Sequence, residues 1–191
     1  MDKNLIKQVF LSNEEIEKIN KKLASQIELS YKGKTPIFIG ILKGCLPFLS
    51  DLLKNITTIP TQIDYMMVSS YKGSTGNRFD TNIILDLQTD ITNRDIIIVE
   101  DIVDTGLTLE AIIKELSLRN PSSIAIVTLL DKPEGRKTTL VPSFIGKTIP
   151  NKFVFGYGLD IAENFRNLNF IAELDIDYYT NIYTIKHKKG N

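Results

Sequence analysis

The chain has 191 residues, 42% hydrophobic and 24% charged, a balance that excludes disorder as the default and gives one domain able to bury roughly 70% of its unfolded surface. Lys plus Arg is 23 and Asp plus Glu is 23, so no excess charge draws the chain to nucleic acid or to a membrane, and neither is expected as a partner. One cysteine and one histidine exclude an internal disulfide, a Cys-based zinc site and His-based triads, which leaves acid–base chemistry to carboxylates, lysines and tyrosines.

In chain order, the first ten residues lack a signal-peptide core, and the longest apolar run, 36–42, is far short of the roughly 20 residues that cross a bilayer. A cytoplasmic location is expected. Residues 12–29 read as an amphipathic helix, with Ser12 as cap, Glu15 at the capping-box position, and Ile16, Ile19, Leu23 and Ile27 on one face. PIFIGIL (36–42) is a strand of continuous apolar residues, LKGC a break, and PFLSDLLKNI a helix. QIDYMMVS (62–69) and TNIILDLQ (81–88) are strands around the polar, Gly-containing 71–80, a long hairpin. DIIIVED (95–101) is the most strongly buried strand pattern, 107–119 a helix, and SSIAIVTLL (122–130) the next strand. Strands alternating with helices give an α/β fold, a mostly parallel twisted sheet flanked by helices. After Pro133 the chain is loop-rich, with a short strand at 153–157 and a last one at 171–174. The tail, with alternating aromatic and Ile residues, is expected to pack and then fray near Lys188.

The segment 96–109, IIIVEDIVDTGLTL, places Glu100 and Asp101 at the carboxyl end of a buried strand, where ligands bind in open α/β sheets. Asp104, Thr105, Gly106 and Thr108 follow at a helix N-terminus. The first N–H groups of that helix lack intrahelical partners and, with the helix dipole, form a phosphate cradle; Gly106 permits close approach. Adjacent carboxylates suit the two cis hydroxyls of a ribose, directly or through magnesium. The bland alternative is that Asp104 or Thr105 caps the helix and Glu100 and Asp101 lie on a solvated loop. Six fixed letters, E-D-x-x-D-T-G-x-T, at roughly one in fifteen each, recur by chance about once in ten million starting positions. The whole string therefore describes a ribose-phosphate site.

VEDIVDTGLTL closely resembles the 5-phosphoribosyl-1-pyrophosphate (PRPP) signature of the type I phosphoribosyltransferases. From about 37 to 174 the chain is similar to the branch that acts on 6-oxopurines, with four motifs in the family's order. The resemblance implies PRPP contacts at Glu100, Asp101, Asp104, Thr105, Gly106, Leu107 and Thr108, with Asp104 as the catalytic residue that takes or holds the purine N7 proton. Leu107 stands where some relatives carry Lys, which leaves the phosphate to amides and hydroxyls. ILKG (41–44) is similar to the pyrophosphate loop, in which the peptide before the lysine is often cis and the backbone of Lys43 and Gly44 meets the diphosphate. Cys45, which follows, is read as a packed thiol. SSYKG (69–73) resembles the start of a mobile catalytic loop, with Ser70 and Tyr71 as lid residues. LLDKPEGR (129–136) supplies Lys132 for the purine 6-oxo group. KFVFGYGLD and IAENFR supply Phe153 to stack on the base, Val154 to contact its edge, Asp160 to hold a second magnesium, and Arg166 to meet pyrophosphate. Taken singly, each has a bland counterpart: a strand-to-helix turn at ILKG, a solvated Lys132, and core aromatics at Phe153 and Phe155.

The resemblance further implies the type I phosphoribosyltransferase fold, with a core at about 36–135 and a small hood from about 1–35 and 136–180. It implies transfer of phosphoribose from PRPP to hypoxanthine or guanine, Mg2+ as cofactor held by Glu100, Asp101 and Asp160, and a homodimer or homotetramer. An adenine or orotate transferase and a non-catalytic PRPP-binding regulator remain open as alternatives. A dinucleotide-binding module is disfavoured, because no G-x-G-x-x-G follows a strand.

Overall fold

The chain is organised around β5 (Asp95–Val103), in which Ile96, Ile97, Ile98 and Val99 are all fully buried. Ile97 and Val99 pack with α1 (Asn13–Ser30) and α2 (Leu46–Lys54) on one face of the sheet, and Ile96 and Ile98 pack with α3 (Leu107–Ser117) on the other. A strand apolar on both faces belongs inside a sheet that helices cover twice. The described residues of this computed structural model are 2–72 and 79–188, with backbone alone for 70–72, 79–81 and 183–188.

The large sheet has the order β4-β3-β2-β5-β6-β7. It comprises β2 (Ile37–Leu42), β3 (Gln62–Lys72), β4 (Phe79–Leu85), β5, β6 (Ser123–Asp131) and β7 (Phe144–Thr148). Every neighbouring pair is parallel except β3 with β4, the expected hairpin. This is the α/β class read from the alternation of strands and helices. A second, antiparallel sheet of order β1-β9-β8 joins the two ends of the chain through β1 (Ile6–Leu11), β8 (Val154–Phe155) and β9 (Ile171–Leu174), over a core that includes Phe155, Ile161, Ala172 and Leu174. β7 is an edge of the large sheet, and α1 packs on that sheet's face.

Local chemistry accounts for the elements. Ser12 and Glu15 form the expected capping box, Glu15 N–H donating to Ser12 Oγ (3.3 Å) and Ser12 N–H to Glu15 Oε2 (2.8 Å). β1 has no sequence signature because register shifts after Ile6 and after Val9 interrupt its alternation. β8 is two residues long rather than five, because Gly156 turns the chain at φ +96°. The tail is a helix, α4 (Ile176–Lys188), not an alternating segment. Asp175 starts it by accepting from the Tyr178 N–H at 2.9 Å, which lets a cap override the strand propensity of Tyr and Ile.

One buried hydroxyl ties the loop after β8 to both helices on its side. Tyr157 Oη accepts from Asn20 Nδ2 of α1 (3.1 Å) and donates to Asp51 Oδ2 of α2 (2.8 Å). Asn20 is buried, so Tyr157→Phe strands its amide without an acceptor. The expected loss is about 1–3 kcal/mol of unfolding free energy, read from urea denaturation; an unchanged midpoint would contradict this role.

Candidate active site

Because β2, β5 and β6 are adjacent and parallel, the loops that leave their carboxyl ends meet at one edge of the sheet. The first loop is Lys43–Gly44. The Leu42–Lys43 peptide is cis, as the resemblance implies for a pyrophosphate loop. Gly44 lies against the Asp101 side chain: a Cβ there would stand 1.8 Å from Asp101 Oδ2, so any side chain would displace that carboxylate. Cys45 is fully buried, and burial followed by the charges of Glu100 and Asp101 pushes its thiol well up, so it is the packed, unreactive thiol expected.

The second loop leads from β5 into α3. Neither Asp104 nor Thr105 caps that helix. The N-cap is Gly106 at φ +78° with no side-chain cap bond, and the Thr105 hydroxyl reaches the Leu107 N–H only at 3.5 Å. The open end of α3 faces a cavity of about 240 Å³ lined in part by Glu100, Asp104, Thr105, Gly106 and Thr108. Uncapped N–H groups and the positive end of a helix dipole are features that suit an anion. Leu107 is on the same turn but does not line the cavity.

The third loop follows β6, and it overturns the surface reading of Lys132. This residue is only 7% exposed, and its ammonium lies 3.5 Å from Asp104 Oδ2. Its N–H donates to the Val103 carbonyl at 2.9 Å. Arg136, to which the sequence reading gave no role, locks this loop to the second one. Its guanidinium donates to the carbonyls of Asp104 (2.9 Å) and Val103 (3.3 Å), to the Leu140 carbonyl, and to the Asp131 carboxylate, itself buried. Nothing in the sequence marks Arg136, because its acceptors are mostly backbone carbonyls.

The stretch after β8 completes the rim. Phe153 is 46% exposed while Phe155 is fully buried, so the first is an available aromatic face and the second is core. Val154 is buried in β8. A Cβ on Gly158 would lie 2.0 Å from the Gly44 carbonyl, which brings this stretch against the first loop. Arg166 donates to the Gly158 carbonyl (2.8 Å) and pairs with Asp160 (2.8 Å) and Glu163 (3.1 Å). Glu163, also unmarked in the sequence, pairs in addition with Lys43 Nζ at 2.7 Å. The side chains of Ser70 and Tyr71, and the loop at 73–78, lie outside the described residues.

Two carboxyls here are less acidic than usual. Burial, then the charge of Asp101, pushes Glu100 well above the ordinary carboxylate range. Burial raises Asp101 to about 6, against the Ile102 N–H bond and the Arg166 charge. Among the described residues no three His, Cys, Asp or Glu side chains converge on one point. Glu100, Asp101 and Asp160 are carboxylates at this edge, with Asp160 close enough for its charge to act on Asp101. That fits a hard cation such as magnesium, which takes one or two carboxylates and completes its shell from substrate oxygens and water.

Comparison with known proteins places these features in a family. A family model described as the phosphoribosyl transferase domain matches residues 9–162. The chain is 47% identical over 174 residues to the hypoxanthine-guanine phosphoribosyltransferase of Bacillus subtilis (strain 168), covering 91% of this chain and 96% of that one. It is 46% identical over 181 residues to the protein of the same name from Streptococcus pneumoniae (strain R6), covering 95% and 100%. A crystal structure of a hypoxanthine phosphoribosyltransferase from Staphylococcus aureus superimposes with a TM-score of 0.87 at 45% identity, covering 92% of this chain and 95% of that one.

The raised carboxyls carry a pH signature. A carboxyl whose folded value exceeds its unfolded one costs stability only when deprotonated, so the penalty is absent below about pH 4 and grows as pH rises through about 6. Asp101→Asn removes it. The variant is expected to be more stable than the wild-type protein at about pH 7.5, with the gap closing toward pH 4 in urea titrations; a gap independent of pH would contradict a raised Asp101 carboxyl.

Proposed function

The chain belongs to the phosphoribosyl transferase family, and from that membership we propose that it is a purine-salvage transferase that moves phosphoribose from PRPP to N9 of hypoxanthine or guanine, forming IMP or GMP and releasing pyrophosphate. The observation that carries the reading is the Lys132–Asp104 pair beside the open end of α3. The open helix end, the Asp104 carboxylate and the buried Lys132 ammonium, at the ends of neighbouring strands β5 and β6, support this reading.

The chemistry asks for three things. The C1′–oxygen bond to diphosphate breaks as the C1′–N9 bond forms, and the sugar passes through an oxocarbenium-like state, so the leaving charge must be stabilised, the base held in line and water kept out. The N–H groups of 105–108 and the Thr105 and Thr108 hydroxyls hold the 5′-phosphate. Glu100 and Asp101 receive the ribose hydroxyls. The Lys43–Gly44 backbone and Arg166 meet the diphosphate. Asp104 takes the N7 proton as the base becomes bonded through N9, a contribution of roughly 10² to 10⁴ for general-base catalysis. Phe153 stacks on the base, the Val154 backbone meets its edge, and Lys132 donates to O6. Ser70 and Tyr71 belong to a lid in the same reading. Magnesium, held by Glu100 and Asp101 and by Asp160, would neutralise diphosphate charge. No helix among the described residues is long and apolar enough to cross a membrane, and a cytoplasmic homodimer or homotetramer completes the proposal.

The base choice follows from Lys132. An ammonium only donates, so O6 of a 6-oxopurine pairs with it, whereas the 6-amino group of adenine leaves it facing N–H groups. A site built on such a bond rejects the mismatched analogue by up to about 10⁴-fold. Purified protein with PRPP, magnesium and each of hypoxanthine, guanine, adenine and orotate is expected to form IMP and GMP, with kcat/KM for adenine lower by about 10³ or more. Lys132→Ala is expected to reduce kcat/KM for hypoxanthine at least about 10²-fold while PRPP affinity changes little. Product from adenine or orotate alone, or an unchanged Lys132→Ala, would overturn the reading.

A further inference from the structure

Glu163 lies outside the four motifs' assigned contacts, yet its carboxylate is the point where the two cations at the rim converge. Oε2 accepts from Lys43 Nζ at 2.7 Å and Oε1 from the Arg166 guanidinium at 3.1 Å. The two cations come from separate segments, the loop after β2 and the stretch after β8, and one carboxylate spans them with an oxygen for each. The backbone is committed to this placement: Glu163 has φ +67°, next to Ala162 at +50°, and its N–H donates to Asp160 Oδ2 at 2.8 Å. Non-glycine residues held at positive φ are uncommon and cluster at functional sites. Arg166 also donates to the Gly158 carbonyl and pairs with Asp160, while its buried Nε has no acceptor among the described residues. Arg166 is thus only partly satisfied by the groups around it.

We propose that Glu163 is an internal stand-in for diphosphate: its carboxylate occupies the Lys43–Arg166 pair in the free protein, leaves when diphosphate arrives, and returns as diphosphate departs. The inference rests on the reading of Arg166 and the Lys43 loop as the diphosphate contacts. A diphosphate oxygen that takes Lys43 Nζ or the Arg166 Nη2 meets the Glu163 carboxylate already there, and the two negative charges repel, so the carboxylate competes with its ligand rather than adding to it. Both members of the Lys43–Glu163 pair are well exposed, at 50% and 64%, which makes the pair weak and readily exchanged. A tightly closed pair would block the site; an absent one would leave diphosphate bound to two uncompensated cations after the reaction. Glu163 therefore favours release of the product pyrophosphate, a step of the kind that often limits turnover.

Competition sets the size and, more tellingly, the sign of the effect. A ligand that binds only the open fraction has its apparent affinity reduced by that fraction. If Glu163 covers the cations for about 70–90% of the time, Glu163→Gln, which keeps the shape and removes the charge, tightens pyrophosphate about 3- to 10-fold. A residue that merely scaffolds Lys43 and Arg166 would have the opposite sign, because its loss lets the cations drift. The difference between wild type and variant should also shrink toward nothing at about 1 M salt, where exposed pairs are screened within about 3 Å.

The experiment is isothermal titration of inorganic pyrophosphate with magnesium into wild type, Glu163→Gln and Arg166→Gln, at low and at high salt. Tighter binding by Glu163→Gln at low salt, with weaker binding by Arg166→Gln, is the expected result. Unchanged or weaker binding by Glu163→Gln, with Arg166→Gln still impaired, overturns the stand-in role and leaves the diphosphate site intact. Unchanged binding by Arg166→Gln overturns the site assignment, and the stand-in role with it.

Discussion

Parallel hydrogen bonding among β2, β5 and β6 is the constraint from which the rest of the site follows. Residues 37–40 of β2 pair with 96–99 of β5, and Asp95–Val103 pairs with Ser123–Asp131 of β6. Strands that run the same way end at the same edge, so Lys43, Asp104 and Lys132 begin their loops side by side although the chain separates them widely. The right-handed return through α3 brings a helix N-terminus to that edge as well. β5 changes character where it passes the cover of the helices: four fully buried apolar residues are followed by Glu100 and Asp101, which continue the strand into the site. The fold thus presents rigid strand, rather than mobile loop, at the point where charge has to be placed accurately.

Backbone contacts then fix the loops to one another. Arg136 spends its guanidinium on the carbonyls of Val103, Asp104 and Leu140 and on Asp131, so the loop that carries Lys132 and the loop that carries Asp104 cannot shift independently. Desolvation offsets much of the attraction in a buried ion pair; the contribution of Arg136 lies in geometry more than in stability. Against this side stands the cluster of Asp160, Glu163, Lys43 and Arg166, whose ion pairs are more open to solvent than the Arg136–Asp131 pair. Burial holds the carboxyls of Glu100 and Asp101 above their ordinary range, a cost to the stability of the charged form.

Much of this was legible in the sequence because it rests on local signals. The apolar run before Glu100, the D-T-G turn and the capping box at Ser12 each mark their element through a few consecutive residues. Lys132 and Phe153 were legible only by family resemblance, since no local pattern distinguishes a buried lysine from a solvated one or an exposed phenylalanine from a packed one. β1 escaped because its bulges destroy the period of two, and α4 because Tyr and Ile favour strands while a single Asp175 cap decides for helix. Arg136 and Glu163 escaped for a different reason. The contacts that set them apart, Glu163 with Lys43 and Arg136 with the Val103 and Asp104 carbonyls, join residues far apart in the chain, and tertiary proximity of that kind leaves no trace in spacing.

If the three strand ends form one site for one nucleotide, a crystal structure of the protein with IMP or GMP will show the 5′-phosphate on the N–H groups of 105–108, the purine against the Phe153 ring, and O6 at the Lys132 ammonium. A phosphate bound away from the start of α3, or a base whose O6 is turned from Lys132, would contradict it.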